Sequence, residues 1–168
     1  MKKYNQQIYE QITELFDSLP LACIVNGRFF CVHGGISHEI RTIEEIKRID
    51  RFREIPKNGL FCDLMWADPI DTPKGNCEGI VKPNDVRGCS YFFGTELSRN
   101  FLDKNKLISI IRAHEAQGEG FKMYKWLGQE RFPAVITIFS APNYCDFYKN
   151  KGAVIKFENN ILNIQQFV

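Results

Sequence analysis

Two short apolar runs, Leu21 to Val25 and Phe29 to Val32, are joined through Asn26-Gly27. This dipeptide tolerates the positive φ of a tight turn, so the stretch is predicted to be a β-hairpin. Its second strand runs straight into His33-Gly34-Gly35. The hairpin follows a helical pattern: Ile8, Ile12, Leu15, Phe16 and Leu19 recur at helical spacing until Pro20, which predicts an amphipathic N-terminal helix whose stripe needs a partner. Downstream, Thr42 and Glu45 have the spacing of a capping box, with Ile43, Ile46 and Ile49 on one face of a helix ending near Asp50.

Residues 68–90 carry Pro69, Pro73, Gly75, Gly79, Pro83 and Gly88, too many breakers for a regular element, and are expected to form a long surface loop. A helix over residues 96–104 and an apolar run, Leu107 to Ile111, come next. Four strand candidates close the chain: 121–127, 134–139, 153–157 and, after Asn159-Asn160, 161–168. Helices early and strands late predict a mixed α/β sandwich, and 168 residues are enough for one domain with a core.

Two of the three histidines share a context. His33 ends the run Phe29 to Val32, and His114 follows Leu107 to Ile111 through Arg112-Ala113. In α/β sheets, sites gather where strands finish, and two imidazoles delivered there can share one metal ion. Gly34-Gly35 lets backbone or ligand approach closely and permits positive φ. Structural histidines satisfy the same pattern, and spacing alone leaves the two readings evenly balanced. His38 lacks this context and is expected at the surface. Arg87, at the end of the breaker-rich loop, offers a planar fork of donors for phosphate or carboxylate, although most such arginines are surface or ion-paired groups. Tyr144 lies in an expected rigid, exposed loop, Ser140 to Asp146, where it either lines a site or covers the core.

A net charge of +2, with no basic block beyond the first three residues, gives no sign of nucleic-acid or anionic-membrane binding. No apolar run approaches the ~20 residues that span a bilayer. Six cysteines at 23, 31, 62, 77, 89 and 145 include no Cys-x-x-Cys and follow no signal peptide, so free thiols in a reducing cytoplasm are expected.

Five segments, in order, carry a resemblance: Val32-His33-Gly34-Gly35, Trp66-Ala67-Asp68-Pro69, Arg87-Gly88-Cys89-Ser90-Tyr91, Arg112-Ala113-His114-Glu115 and Ser140-Ala141-Pro142-Asn143-Tyr144. Through them the chain resembles the phosphoprotein phosphatase family of serine/threonine phosphatases. Glu115-Ala116-Gln117, Met123-Tyr124 and Lys156-Phe157-Glu158-Asn159-Asn160 are similar to its calcineurin type. The resemblance implies a partial metallophosphoesterase β-sandwich with flanking helices, residues 1–168 being the C-terminal part of one catalytic domain. It implies phosphoprotein substrates and a two-metal centre of iron with zinc or manganese. His33 and His114 would ligate the second metal, Arg87 would hold phosphate oxygens and Tyr144 would border the substrate. Trp66 and Asp68 are assigned to loop architecture rather than chemistry.

The family's Gly-Asp-x-His-Gly, Gly-Asp-x-Val-Asp-Arg-Gly and Gly-Asn-His-Glu motifs do not occur in this sequence. The isolated chain is therefore expected to be inactive. The segments that bind the regulatory subunit and calmodulin are likewise expected to lie outside it.

A second, non-catalytic reading is a fragment or pseudoenzyme that docks peptides. Phe121 and Met123 alternate on one strand candidate, and Leu162 and Ile164 on another, so each pair shares a strand face. In the calcineurin type this region takes up extended peptides by strand addition. Asn163 and Gln165 would add polar contacts, with Gln165 standing where that type has arginine. Burial of the four apolar side chains in the core accounts for the pattern equally well.

Overall fold

The computed structural model describes residues 3–70, 81–124 and 132–168. Helix α1 (Gln6–Ser18) starts where the Asn5 side chain accepts the Ile8 N–H at 2.9 Å. None of its residues is buried; Leu15 and Phe16 of the predicted stripe are 57% and 60% exposed. The predicted hairpin is present as β1 (Ala22–Val25) and β2 (Phe29–Val32), paired antiparallel. Asn26 and Gly27 take φ of 53° and 62°, the conformation for which the Asn-Gly pair was read.

Helix α2 (Ile43–Lys47) begins as expected: the Glu45 carboxylate accepts the Thr42 N–H at 3.0 Å and the Thr42 hydroxyl at 2.8 Å. It ends before Asp50 because the next N–H groups close short turns, Arg48 onto Glu45 O and Ile49 onto Ile46 O. Ile43, Ile46 and Ile49 nevertheless all pack on the core.

Helix α3 (Gly59–Trp66) has no counterpart in the sequence reading. The stretch 68–90 is also more ordered than expected: β3 (Asp68–Pro69), β4 (Val81–Pro83) and β5 (Tyr91–Phe93) form a small sheet in the order β3-β5-β4. Pro69 and Pro83 each close a strand, where a missing N–H disturbs a ladder least. Pro73, Gly75 and Gly79 lie outside the described residues, as does 125–127 of the predicted strand 121–127.

Helix α4 (Thr95–Asn105) precedes β6 (Ser109–Arg112), β7 (Phe121–Tyr124), β8 (Val135–Ile138), β9 (Gly152–Glu158) and β10 (Ile161–Phe167). The main sheet runs β1-β2-β6-β8-β7. Its three central strands β2, β6 and β8 are parallel, and an antiparallel strand flanks them on each side. The β9–β10 hairpin turns through Asn159 and Asn160, both at positive φ, and meets the main sheet where Phe157 packs edge-on against Phe29 at 5.4 Å. Phe30, Leu64, Phe93, Ile110 and Val135 form the centre of the core. The architecture is the mixed α/β arrangement expected of the sequence. No helix among the described residues is long and apolar enough to cross a membrane.

Candidate metal and phosphate site

Strands β2 and β6 lie side by side and parallel, with Val32 opposite Arg112. The ladder continues past the strand ends through the Ala113 N–H, which donates to His33 O at 3.0 Å. His33 and His114 therefore emerge at the carboxyl ends of neighbouring parallel strands, where α/β sheets present ligands. Their side chains meet: His33 Nε2 and His114 Nδ1 are 3.0 Å apart. His114 reaches this position at φ 61°, a left-handed conformation that costs a non-glycine residue about 1–2 kcal/mol. Such strain persists only where the surroundings enforce it.

Gly34 and Gly35 serve close approach rather than positive φ, which neither adopts. A Cβ on Gly34 would stand 2.6 Å from the Met65 carbonyl carbon, and one on Gly35 would overlap the Phe93 ring. The Gly34 N–H donates to Leu64 O at 2.8 Å, which seats the turn after β2 on helix α3. The Trp66 ring, near the end of that helix, stands 5.2 Å from the His114 ring and nearly perpendicular to it.

Beneath the histidines is a polar network that sequence reasoning missed. Arg112, 1% exposed, donates through Nε to Gly34 O at 2.6 Å and through Nη2 to Ala67 O at 3.0 Å and Asp68 Oδ1 at 2.7 Å. Its Nη1 donates to Glu115 Oε2 at 2.6 Å. Asp68, also buried, accepts from Asn84 Nδ2 and from Arg87 Nε, both at 2.9 Å. Burial alone would push the Asp68 carboxyl up, but the donors from Arg87, Asn84 and Arg112 outweigh it and hold the carboxyl below the ordinary range. Asp68 and Trp66, assigned from sequence to loop architecture, thus lie in direct contact with predicted site residues. A signal was present: two charged residues of opposite sign, Asp68 and Arg112, each directly follow an apolar segment, and buried charges need partners.

Arg87 belongs to this network and is not free. Asp68 takes its Nε and, at 3.5 Å, its Nη2, so Nη1 is the part of the fork with no bond to a described residue. The side chain is a quarter exposed. The hydrogen bond to Asp68 raises its pKa further, so it is a fixed positive charge. The surrounding protein lowers the pKa of both imidazoles, and Arg112 and Arg87 add to the effect against the opposing pull of Asp68. For His114 the value falls to about 4. Neutral imidazole is the form that binds metal.

Tyr144 opens the short 3-10 turn Tyr144–Asp146, is 45% exposed, and its ring meets Phe139 edge-on and Tyr148 at a tilt. The loop is exposed as expected and is tied down by Asn150, whose Oδ1 accepts the Tyr144 N–H and whose Nδ2 donates to Ala141 O. His38 is exposed, with its ring on Tyr91. Of the docking candidates, Met123 and Asn163 are exposed, while Phe121, Leu162 and Ile164 are half-buried.

The histidine pair fits a metal ion on its donor chemistry. A separation of 3.0 Å suits adjacent ligands of an ion with metal–nitrogen bonds of about 2.0–2.1 Å, and imidazole suits zinc and iron. The other ring nitrogen of His114, Nε2, is buried and has no hydrogen-bond partner among the described residues. The same residues contain no cluster of three or more potential metal-binding side chains, so the pair by itself offers two donors and no more.

A family model described as calcineurin-like phosphoesterase matches residues 1–118. Two Saccharomyces cerevisiae proteins, the serine/threonine-protein phosphatase 2B catalytic subunits A1 and A2, are 50% and 45% identical over 99% of this chain. The chain spans about a third of their length, 32% in each case. A solved structure of a serine/threonine phosphatase from the same yeast, with similarity to the human phosphatase PP5, superposes with a TM-score of 0.82 at 34% identity. That match covers 98% of this chain and 52% of the other.

Proposed function

The chain belongs to the calcineurin-like phosphoesterase family, and we propose that it forms the C-terminal part of a calcineurin-type catalytic domain that hydrolyses phosphoserine and phosphothreonine in proteins. The observation that carries this reading is the meeting of His33 Nε2 and His114 Nδ1 at 3.0 Å beside Arg87. In the proposal His33 and His114 hold an iron-, zinc- or manganese-type ion. When bound, metal ions in such centres act as Lewis acids and lower the pKa of a water nucleophile.

The chain's own residues orient and stabilise. Asp68 clamps one edge of Arg87 and aims its remaining donors at phosphate oxygens, where charge builds in the transition state. Arg112 fixes Asp68 and, through Gly34 O, the turn that follows His33. Tyr144 borders the substrate from its exposed loop. The three absent sequence motifs and the two-imidazole donor set lead us to expect no metal-dependent turnover of p-nitrophenyl phosphate by the chain alone.

The test is a chimera in which this chain replaces the matching third of the yeast phosphatase 2B catalytic subunit A1. It should hydrolyse phosphoserine peptides, and Arg87→Ala should lower kcat by about 10²–10³-fold, as loss of a transition-state donor does. A folded but inactive chimera, or one indifferent to Arg87→Ala, would overturn the assignment.

The placement of β10 supports a docking role alongside catalysis. Among the described residues β10 pairs with β9 alone, which leaves its other edge open to an added strand. Leu162 and Ile164 pair with Phe157 and Ile155, and Phe157 packs on the main sheet, so these side chains face inward. Exposed Asn163 and the backbone edge would make the contacts, and exposed Met123 on outer strand β7 offers a separate apolar one. A labelled Pro-x-Ile-x-Ile-Thr peptide should bind saturably and less well to Asn163→Ala. Absence of saturation would remove the docking role.

A further inference from the structure

We infer that Cys23 and Cys31 are a peroxide-responsive thiol pair that closes reversibly into a disulfide across the β1–β2 hairpin. The two residues stand directly opposite one another in the antiparallel register, and their thiols are in hydrogen-bond contact. Opposed residues in such a ladder have Cα atoms about 4.5–5.5 Å apart, within the span of about 4.4–6.8 Å that a disulfide bridges. The hairpin can therefore close the bond without moving its backbone. Both cysteines are free.

Their surroundings set the order of events. Cys23 is exposed on β1, the outer strand of the main sheet, whereas Cys31 is half-buried on β2 between β1 and β6. Oxidation of a thiol follows its exposure, so half-buried Cys31 is a poor first target for an oxidant. A hydroperoxide meets Cys23 first. The Cys23 sulfur takes one peroxide oxygen as the O–O bond breaks, which gives a sulfenic acid and, from hydrogen peroxide, one water. The Cys31 sulfur then attacks the Cys23 sulfur. The S–S bond forms, the S–O bond breaks, and the hydroxyl leaves with the Cys31 proton as a second water. Two thiols are oxidised by two electrons and the peroxide is reduced; a thiol reductant reverses the bond. The closed bridge fastens the outer strand to the strand that ends at His33.

Trypsin cuts after Arg28, between the two cysteines, so the bond is directly readable. The purified chain is treated with hydrogen peroxide, denatured in acid, alkylated with iodoacetamide and digested. The expected result in the monomer fraction is loss of alkylation at both cysteines and appearance of peptide 4–28 joined to peptide 29–41, with both effects reversed by dithiothreitol. In Cys23→Ser the joined species should vanish and Cys31 should stay alkylated after peroxide. Full alkylation of Cys23 and Cys31 after peroxide, a link found only between chains, or a link from either residue to another cysteine would overturn the inference.

Discussion

Arg112 and helix α1 mark two regions of this molecule held together in opposite ways. Arg112 is buried and ties the ends of β2 and α3, and the start of β3, to its own strand through bonds to Gly34, Ala67, Asp68 and Glu115. Helix α1 buries none of its residues and is secured by its Asn5 cap, by local bonds such as Thr13 Oγ1 to Tyr9 O at 3.1 Å and, at its last residue, by Arg51 Nη2, which donates to Ser18 O at 3.1 Å. The difference teaches where this chain concentrates its structural constraint. The elements that carry His33, His114 and Arg87 are cross-linked by charge, whereas the amphipathic stripe of α1 is left open.

Replacing Arg112 breaks this contrast hardest. Arg112→Met removes one partner of a buried ion pair and leaves the Asp68 carboxylate short of a donor, a change that costs about 3–5 kcal/mol. Set against a total of roughly 5–15 kcal/mol for a domain, this should show as a large drop in the urea midpoint. At the other end of the scale, Leu15→Ser on α1 should shift stability by no more than about 0.5 kcal/mol, as exposed substitutions do. A Leu15→Ser cost of several times that would mean that α1 packs on something in solution, and the contrast would fail.

The same two regions show what the sequence makes legible. The stripe of α1 and the Asn26-Gly27 hairpin are local patterns, and both elements formed where their periodicity and turn chemistry placed them. Helix α3 escaped because Gly59 to Trp66 is apolar nearly all round, with Phe61, Cys62, Asp63 and Leu64 in succession buried; it shows no stripe, and Asn58 makes no side-chain cap bond. The strands within 68–93 are two or three residues long, too short for alternation to register.

In the site, the convergence of His33 and His114 was readable because both follow apolar runs, and parallel pairing of those runs brings their ends together. Asp68 was only half readable: a charge directly after an apolar segment signals a buried partner, but that partner, Arg112, lies 44 residues away and the ion pair exists only once β3 and β6 come together. Tyr144 shows the limit in the other direction: its loop is exposed as expected, yet its ring contacts are Phe139 and Tyr148.

The central claim is that His33 and His114 act together on one ion. The direct measurement is a zinc titration of the chain followed by the imidazole NMR signals of His33, His114 and His38. The account predicts that His33 and His114 respond together with a single midpoint, that His38 does not move, and that either His33→Ala or His114→Ala abolishes the response of the remaining partner. Separate midpoints for the two, or a response no different from that of His38, would contradict it.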